Sequence, residues 1–444
     1  MTAELVIMNK EAIALAADSA ATISTGKIYP TNKVFMLSKF CPVGIMIYGN
    51  GEIMRVPWEP IIKLFRDYIS NDDPYKDLED YAVAFIEFLD KNKYLFPEYQ
   101  QNGWFGGMVS NHFTNIKNDY DRRIKILENA GVDIEGSVKT IEIKSCIDKL
   151  INKLENEDVV WNTISHAHRN WVQGVYYDII SEIRDEIFDD IQLDNESRRK
   201  LELIAVLGFY RHATGIVIAG FGVHNLFPVV VSYAVGGLVD NRLVYQKLKR
   251  DEMSFKKDGM IIPFAQSDVI DTFLNGIDPE FNEYLHEKVF PTVFESQDLL
   301  INSILNDLKK LKRNVDDDTF LKELQSKYGQ FKNRVKPTLD KFKNNMMDIK
   351  VLRNRYPMIS AVGFLPKDEL AVMAESLLTL TSLKRRYSLD SLESVGGDID
   401  VAVISKSDGF VWIKRKHYFD KKLNHHFFYN YFDQSKIRKN NGQK

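Results

Sequence analysis

Met-Thr-Ala-Glu-Leu-Val-Ile-Met-Asn-Lys-Glu-Ala-Ile-Ala-Leu-Ala-Ala-Asp, residues 1–18, decides how the rest of the chain is read. Two short apolar runs, Glu4 to Met8 and Ala12 to Ala17, flank the polar turn Asn9-Lys10-Glu11. That spacing predicts a tight β-hairpin at the start of the chain. Lys33 to Leu37 and Val43 to Tyr48 predict a second hairpin, joined by Ser38 to Pro42. Gly49-Asn50-Gly51 then stops the strand and opens an amphipathic helix with Ile53, Val56, Ile61, Ile62, Leu64 and Phe65 on its apolar face. A second helix is predicted from Leu78 to Leu89.

Further along, the pattern changes. Trp104-Phe105-Gly106-Gly107 marks a loop, and long polar helical stretches follow at Ile141 to Asn156 and Val172 to Asp189. Strands return at Gly215 to Ala219, Pro228 to Val235, Leu243 to Lys247 and Met260 to Phe264, and a helix is expected from Ser267 to Asn275. A second helical stretch fills 278–357. A helix from Asp368 to Arg386 and strands at Ile399 to Ser405 and Phe410 to Lys414 complete the pattern. The two helical stretches read as insertions into an α+β core, whose two β layers would be covered by helices on both outer faces. The expected organisation is a core in three parts, 1–92, 214–277 and 358–428. Insertions occupy 93–213 and 278–357, and 429–444 is a polar, basic tail.

Composition narrows the class. A chain of 444 residues with 44% hydrophobic and 27% charged residues reads as a globular protein larger than one ordinary core. A net charge of −3 gives no general pull toward nucleic acid or an anionic membrane. Two cysteines, Cys41 and Cys146, argue against a disulfide framework and for a reducing, cytoplasmic location. No signal peptide or transmembrane stretch is expected. The scattered histidines match no zinc spacing, so neither metal nor cofactor is expected. The basic stretch Lys309 to Arg313 reads as a solvated helix face.

Four residues could carry chemistry. Removal of Met1 would leave Thr2 with a free α-amine beside its hydroxyl. An α-amine ordinarily titrates near pH ~8, so one residue supplies both a nucleophile and its base. Asp18 ends the second strand and Lys33 begins the third. An ammonium beside the Thr2 hydroxyl would favour the alkoxide, and Asp18 would hold that lysine. Gly49, at the end of a strand, can aim a backbone N–H at a developing oxyanion. Taken singly, each has an ordinary reading: a second residue, two solvated charges and a turn glycine.

Together these residues resemble the start of proteasome β subunits and of the bacterial proteasome-like peptidase that forms rings with an ATPase. In that family a Thr begins the first strand, an Asp closes the second in an Ala-Ala-Asp-like motif, a Lys precedes an apolar strand and a Gly ends the next. Thr2, Asp18, Lys33 and Gly49 match in that order. Gly396-Gly397-Asp398-Ile399-Asp400-Val401-Ala402-Val403-Ile404, with Asp408-Gly409-Phe410-Val411, is similar to the family's last hairpin. Ile216 to Gly222 and Phe227 to Gly237 are similar to its central one.

The resemblance implies a four-layer αββα N-terminal-nucleophile (Ntn) hydrolase sandwich carrying two large helical insertions. It implies a threonine peptidase or amidase with Thr2, Asp18, Lys33 and Gly49 as its catalytic set and Ser267 supporting the amine. Ala21, Phe35 and Ile47 would line an apolar specificity pocket. A peptide or protein substrate, self-association and an ATPase or unfoldase partner are implied as well. The family's serine before the Gly-Gly pair and its aspartate three residues earlier are replaced by Val395 and Leu392. That departure motivates the alternative of a non-catalytic Ntn-fold subunit that mediates assembly or binds a partner. An amidase for small molecules is a third reading.

Overall fold

Strands β1 (Ala3–Asn9) and β2 (Ala12–Asp18) form the N-terminal hairpin, and every residue of both is buried. Asn9 locks the turn. Its side-chain oxygen accepts the N–H groups of Glu11 and Ala12, and its amide donates to the carbonyls of Val362 and Leu365. The computed structural model describes residues 3–22, 28–69, 74–156, 166–211, 213–293, 295–296, 299, 302–303, 318–388, 396–417 and 419–426. Thr2, Leu392, Val395, the Lys309 to Arg313 stretch and the 429–444 tail lie outside these residues.

The chain is a mixed α/β protein with antiparallel sheets. In the first sheet, β1 pairs with β12 (Gly259–Ala265) on one side and with β2 on the other. Beyond β2 follow β13 (Ile399–Ser405) and β14 (Gly409–Lys414). In the second sheet the order is β11 (Arg242–Glu252), β10 (Val229–Val239), β9 (Thr214–Gly220), β6 (Val43–Tyr48) and β5 (Val34–Met36). Two small pairs accompany them, β3 (Ala20–Thr22) with β4 (Ile28–Pro30) and β7 (Glu52–Ile53) with β8 (Val56–Pro57).

Alternation along β1 explains the packing. Val6 and Met8 belong to a cluster with Leu15, Met46, Val217, Ala219 and Ala402, which joins the two sheets. Leu5 and Ile7 belong to a different cluster, with Leu370, Ala374, Leu377 and Leu378 of a long C-terminal helix, Lys367–Tyr387. The second sheet's Ile45, Ile47, Ile216 and Ile218 pack with Ile61 and Phe65 of α1 (Trp58–Tyr68) and with Phe85 and Leu89 of α2 (Leu78–Lys91). Each such side chain, fully buried, contributes about 1.5–3 kcal/mol.

Between α2 and β9 lie α3 (Glu98–Asn129), α4 (Gly136–Asn156), α5 (His166–Val175), α6 (Tyr177–Ile187) and α7 (Asn195–Arg211). They share a cluster of Phe105, Phe113, Ile147, Ile180, Leu201 and Phe209 that reaches Ala234, Val239 and Val244 of β10 and β11. The loop expected at Trp104 to Gly107 is instead part of α3. Gly106 faces α6: a β-carbon there would sit in ordinary contact with Ile179 and Ile183 at 3.5 Å. Phe105 stacks on Tyr176 with ring centroids 3.8 Å apart. The glycines thus mark a helix–helix contact rather than a break.

After β12 come α8 (Asp268–Asn275), α9 (Pro279–Tyr284), α10 (Asp318–Ile349), α11 (Tyr356–Val362) and the Lys367–Tyr387 helix, here α12. Among the described residues no helix is long and apolar enough to cross a membrane.

Candidate active site

The C-terminal end of β2 delivers Asp18 to a cluster of buried charges. Asp18 is 1% exposed, Lys33 5% and Glu4 0%. Lys33 precedes β5, and its carbonyl accepts the N–H of Ile47 at 2.9 Å, which ties it to the adjoining strand β6. Its ammonium lies 2.5 Å from Asp18 Oδ1 and 3.4 Å from Glu4 Oε1. Asp18 is held on both oxygens by backbone as well. The N–H of Ala3 donates to Oδ1 at 3.1 Å and the N–H of Gly396 donates to Oδ2 at 3.1 Å. A buried carboxylate needs such donors, because removal from water otherwise disfavours its charge.

These contacts draw three distant parts of the chain together. Gly396 also accepts the N–H of Ala20 at 3.1 Å. Gly397 follows with φ of +78°, and a β-carbon there would meet Ser19 Oγ at 2.5 Å. Only glycine fits that close approach. The Gly-Gly pair singled out in the sequence therefore serves Asp18 directly.

Glu4 is a member that sequence reasoning missed. The available signal was a charged residue inside an otherwise apolar strand, which must find a partner when buried. Its position two residues after Thr2 gives it the same face of β1 as Val6 and Met8, toward the second sheet. The effect reaches Tyr48, whose hydroxyl is pushed up to about 12, first by burial and then by the negative charge of Glu4. The Tyr48 ring lies across Gly215, leaving no room for a side chain there.

The other expected site residues are placed as follows. Gly49 ends β6 with φ of +85°, one residue after Tyr48. Ser267 precedes α8, two residues beyond Ala265, which pairs with Ala3. Both are thus at the end of the sheets where Asp18 and Lys33 meet. Phe35 lines a cleft alongside Asn32 and Met36. Ile47 is buried in the cluster beneath α1 and α2. Ala21 pairs through its backbone with Tyr29, and its side chain lies outside those described.

Chemically, one ammonium here faces two carboxylates. Contact with both carboxylates orients Lys33.

No family model matches the chain, and no curated protein matches it. Solved structures similar to it include one titled as the helical assembly of the Anbu complex from Pseudomonas aeruginosa. Its identity is 7% and its TM-score 0.32, over 98% of this chain and 96% of that one. Anbu (ancestral beta-subunit) from Yersinia bercovieri is 8% identical with a TM-score of 0.29, over 97% and 96% of the two chains. Anbu from Hyphomicrobium sp. strain MC1 is 9% identical with a TM-score of 0.26, over 100% and 97%. At these scores the likeness carries no argument about this chain.

Proposed function

We propose that the chain is a four-layer αββα N-terminal-nucleophile hydrolase, a threonine peptidase or amidase of the proteasome type acting through Thr2 after Met1 is removed. The observation that supports this reading most is the shared acceptor Asp18 Oδ1, which takes both the Ala3 N–H and the Lys33 ammonium. Thr2 is one peptide unit from Ala3, so that contact anchors the nucleophile's neighbour to the lysine's partner. The helix clusters on the outer faces of both sheets support the layered arrangement. The core would comprise 1–92, 214–277 and 358–428, with helical insertions at 93–213 and 278–357.

In this reading Thr2 Oγ attacks an amide carbonyl while its own amine takes the hydroxyl proton, directly or through water. Lys33 favours the alkoxide, and Asp18 with Glu4 fixes Lys33. The N–H of Gly49 meets the oxyanion, a contribution often worth ~3 kcal/mol per donor, and Ser267 supports the amine. The C–N bond then breaks, the α-ammonium protonates the leaving amine, and an ester remains on Thr2. Water attacks that ester, giving its proton to the amine, and the acid leaves as Thr2 Oγ is reprotonated.

The substrate class is a peptide or protein, with Ala21, Phe35 and Ile47 proposed to contact it. Self-association, an ATPase or unfoldase partner and a cytoplasmic setting complete the proposal. A panel of short fluorogenic peptides and small amides tests the reaction. Hydrolysis by the wild type that is abolished in Thr2→Ala and partly retained in Thr2→Ser is expected. Activity unchanged in Thr2→Ala overturns it.

A further inference from the structure

A cleft of ≈ 580 Å³ is lined by both edge strands, β5 through Phe35 and Met36 and β14 through Trp412, together with α1 and the segment after β14. We propose that this cleft binds the carboxylate side chains of an acidic peptide segment.

The charge balance of its lining points that way. Lys63, Arg66, Arg415 and Lys416 face the two carboxylates of Glu59 and Asp398. Two of the four cations are already engaged: Lys63 reaches Glu59 at 2.7 Å, and Lys416 reaches the buried Asp400 at 2.5 Å. Among the described residues Arg66 and Arg415 are left, opposite one exposed acid, Asp398. Arg66 has no hydrogen-bond or ion-pair partner among the described residues, and its Nε is shielded from solvent. A shielded guanidinium nitrogen requires an acceptor. Arg415 Cζ lies over the Trp412 ring, 5.0 Å from its centroid, a cation–π contact that does not consume its donors. The field is felt at Glu59. Burial pushes its carboxyl up, but hydrogen bonds from Lys63 and Asn32 and the positive charges of Lys63 and Arg415 outweigh this and hold it below the usual range.

Size and surroundings select the occupant. The volume is that of a ligand site rather than a single ion's. Phe35, Met36, Ile62 and Trp412 line the same cleft with apolar groups. A peptide with acids beside apolar residues satisfies both features, and bidentate carboxylates suit arginine forks. The chain's own segment 429–444 is excluded by charge, since it carries Lys436, Arg438, Lys439 and Lys444 against Asp433. Asn32 on the rim adjoins Lys33, and Asp398 follows Gly397, so a peptide seated here would extend toward the charged cluster. That last step rests on the hydrolase reading, whereas binding does not.

The test is fluorescence anisotropy of a fluorescein-labelled peptide, Gly-Glu-Leu-Asp-Phe-Glu-Leu amide. Its partner is the same peptide with Gln and Asn for Glu and Asp. Full-length Thr2→Ala protein is used, so that no cleavage intrudes. The acidic peptide is expected to bind at least about tenfold more tightly than its amide counterpart and to weaken with added salt. Arg66→Gln and Arg415→Gln, each checked for an unchanged melting curve, should weaken it by a similar factor. Equal binding of the two peptides, no binding of either, or folded variants that bind like wild type overturns the proposal. Binding that persists while wild-type protein cleaves nothing strikes the hydrolase reading alone.

Discussion

Lys33 is the hinge of the site because it serves two buried carboxylates at once. Replacing it by methionine keeps most of the volume but removes the ammonium that both Asp18 and Glu4 contact. Removing one partner of a buried ion pair typically costs about 3–5 kcal/mol. Lys33→Met is therefore expected to lower the urea-unfolding free energy by about that much and to remove any hydrolytic activity. Unchanged stability would mean the cluster is far better solvated than its burial indicates. Tyr48 gives a pH-dependent readout of the same place. Its hydroxyl is raised to about 12 from an ordinary value of 10.0. The folded state then holds a proton that the unfolded state releases first, so stability falls as pH rises between these values. Tyr48→Phe removes that component, about 2–3 kcal/mol at most by the two-unit shift. The variant's stability should decline less than wild type's in urea titrations between pH 10 and pH 12; parallel declines would refute the assignment. At this scale the sequence showed Asp18 and Lys33 because both lie at strand ends. Glu4 was hidden, since an acid inside an apolar strand is interpretable only when its partner, distant in sequence, is known.

The elements that hold these residues were legible wherever a strand was long enough to show its pattern. The reading of Val43 to Tyr48 and Ile399 to Ser405 coincides with β6 and β13, whereas Pro228 to Val235 and Leu243 to Lys247 fell well short of the C-terminal ends of β10 and β11. The pairs β3–β4 and β7–β8 escaped, because two or three residues carry no periodicity. Trp104 to Gly107 was misread for the opposite reason: paired glycines suggested a break, and helix packing overrode the local propensity. The turn into β13 is the element on which Asp18 most depends. Gly397→Ala forces a side chain into a positive φ and against Ser19. It should cost about 1–3 kcal/mol and loosen the Gly396 N–H from Asp18. Activity should fall by more than the unfolded fraction explains, as judged by circular dichroism on the same samples. A fully active, fully stable variant would show that this turn does not position the acid.

At the scale of the whole molecule, the charged cluster and the Asn9 turn lie at opposite ends of the first sheet. At that far end, beyond Asn9, Lys10 contacts both the Phe255 carbonyl and Asp258, and Gly363 packs against Asp258. Phe255 and Phe364 are 78% and 87% exposed there. Aromatic rings this open suit contact with another chain. The self-association proposed above should appear as multimers in size-exclusion chromatography with light scattering, and Phe255→Ser with Phe364→Ser should reduce them. Monomeric wild type at micromolar concentration contradicts it. The helices α3 to α7 were visible as polar helical stretches, but their seat on β10 and β11 was not, because contacts across the chain leave no local pattern.

The central claim is that Thr2 is a free N-terminal nucleophile, and an epoxyketone tests it most directly. Folded wild-type protein is treated with the reagent, digested, and its N-terminal peptide is weighed by mass spectrometry. The account predicts a peptide that begins at Thr2 and carries the adduct. A peptide that retains Met1, or that begins at an unmodified Thr2, would contradict it.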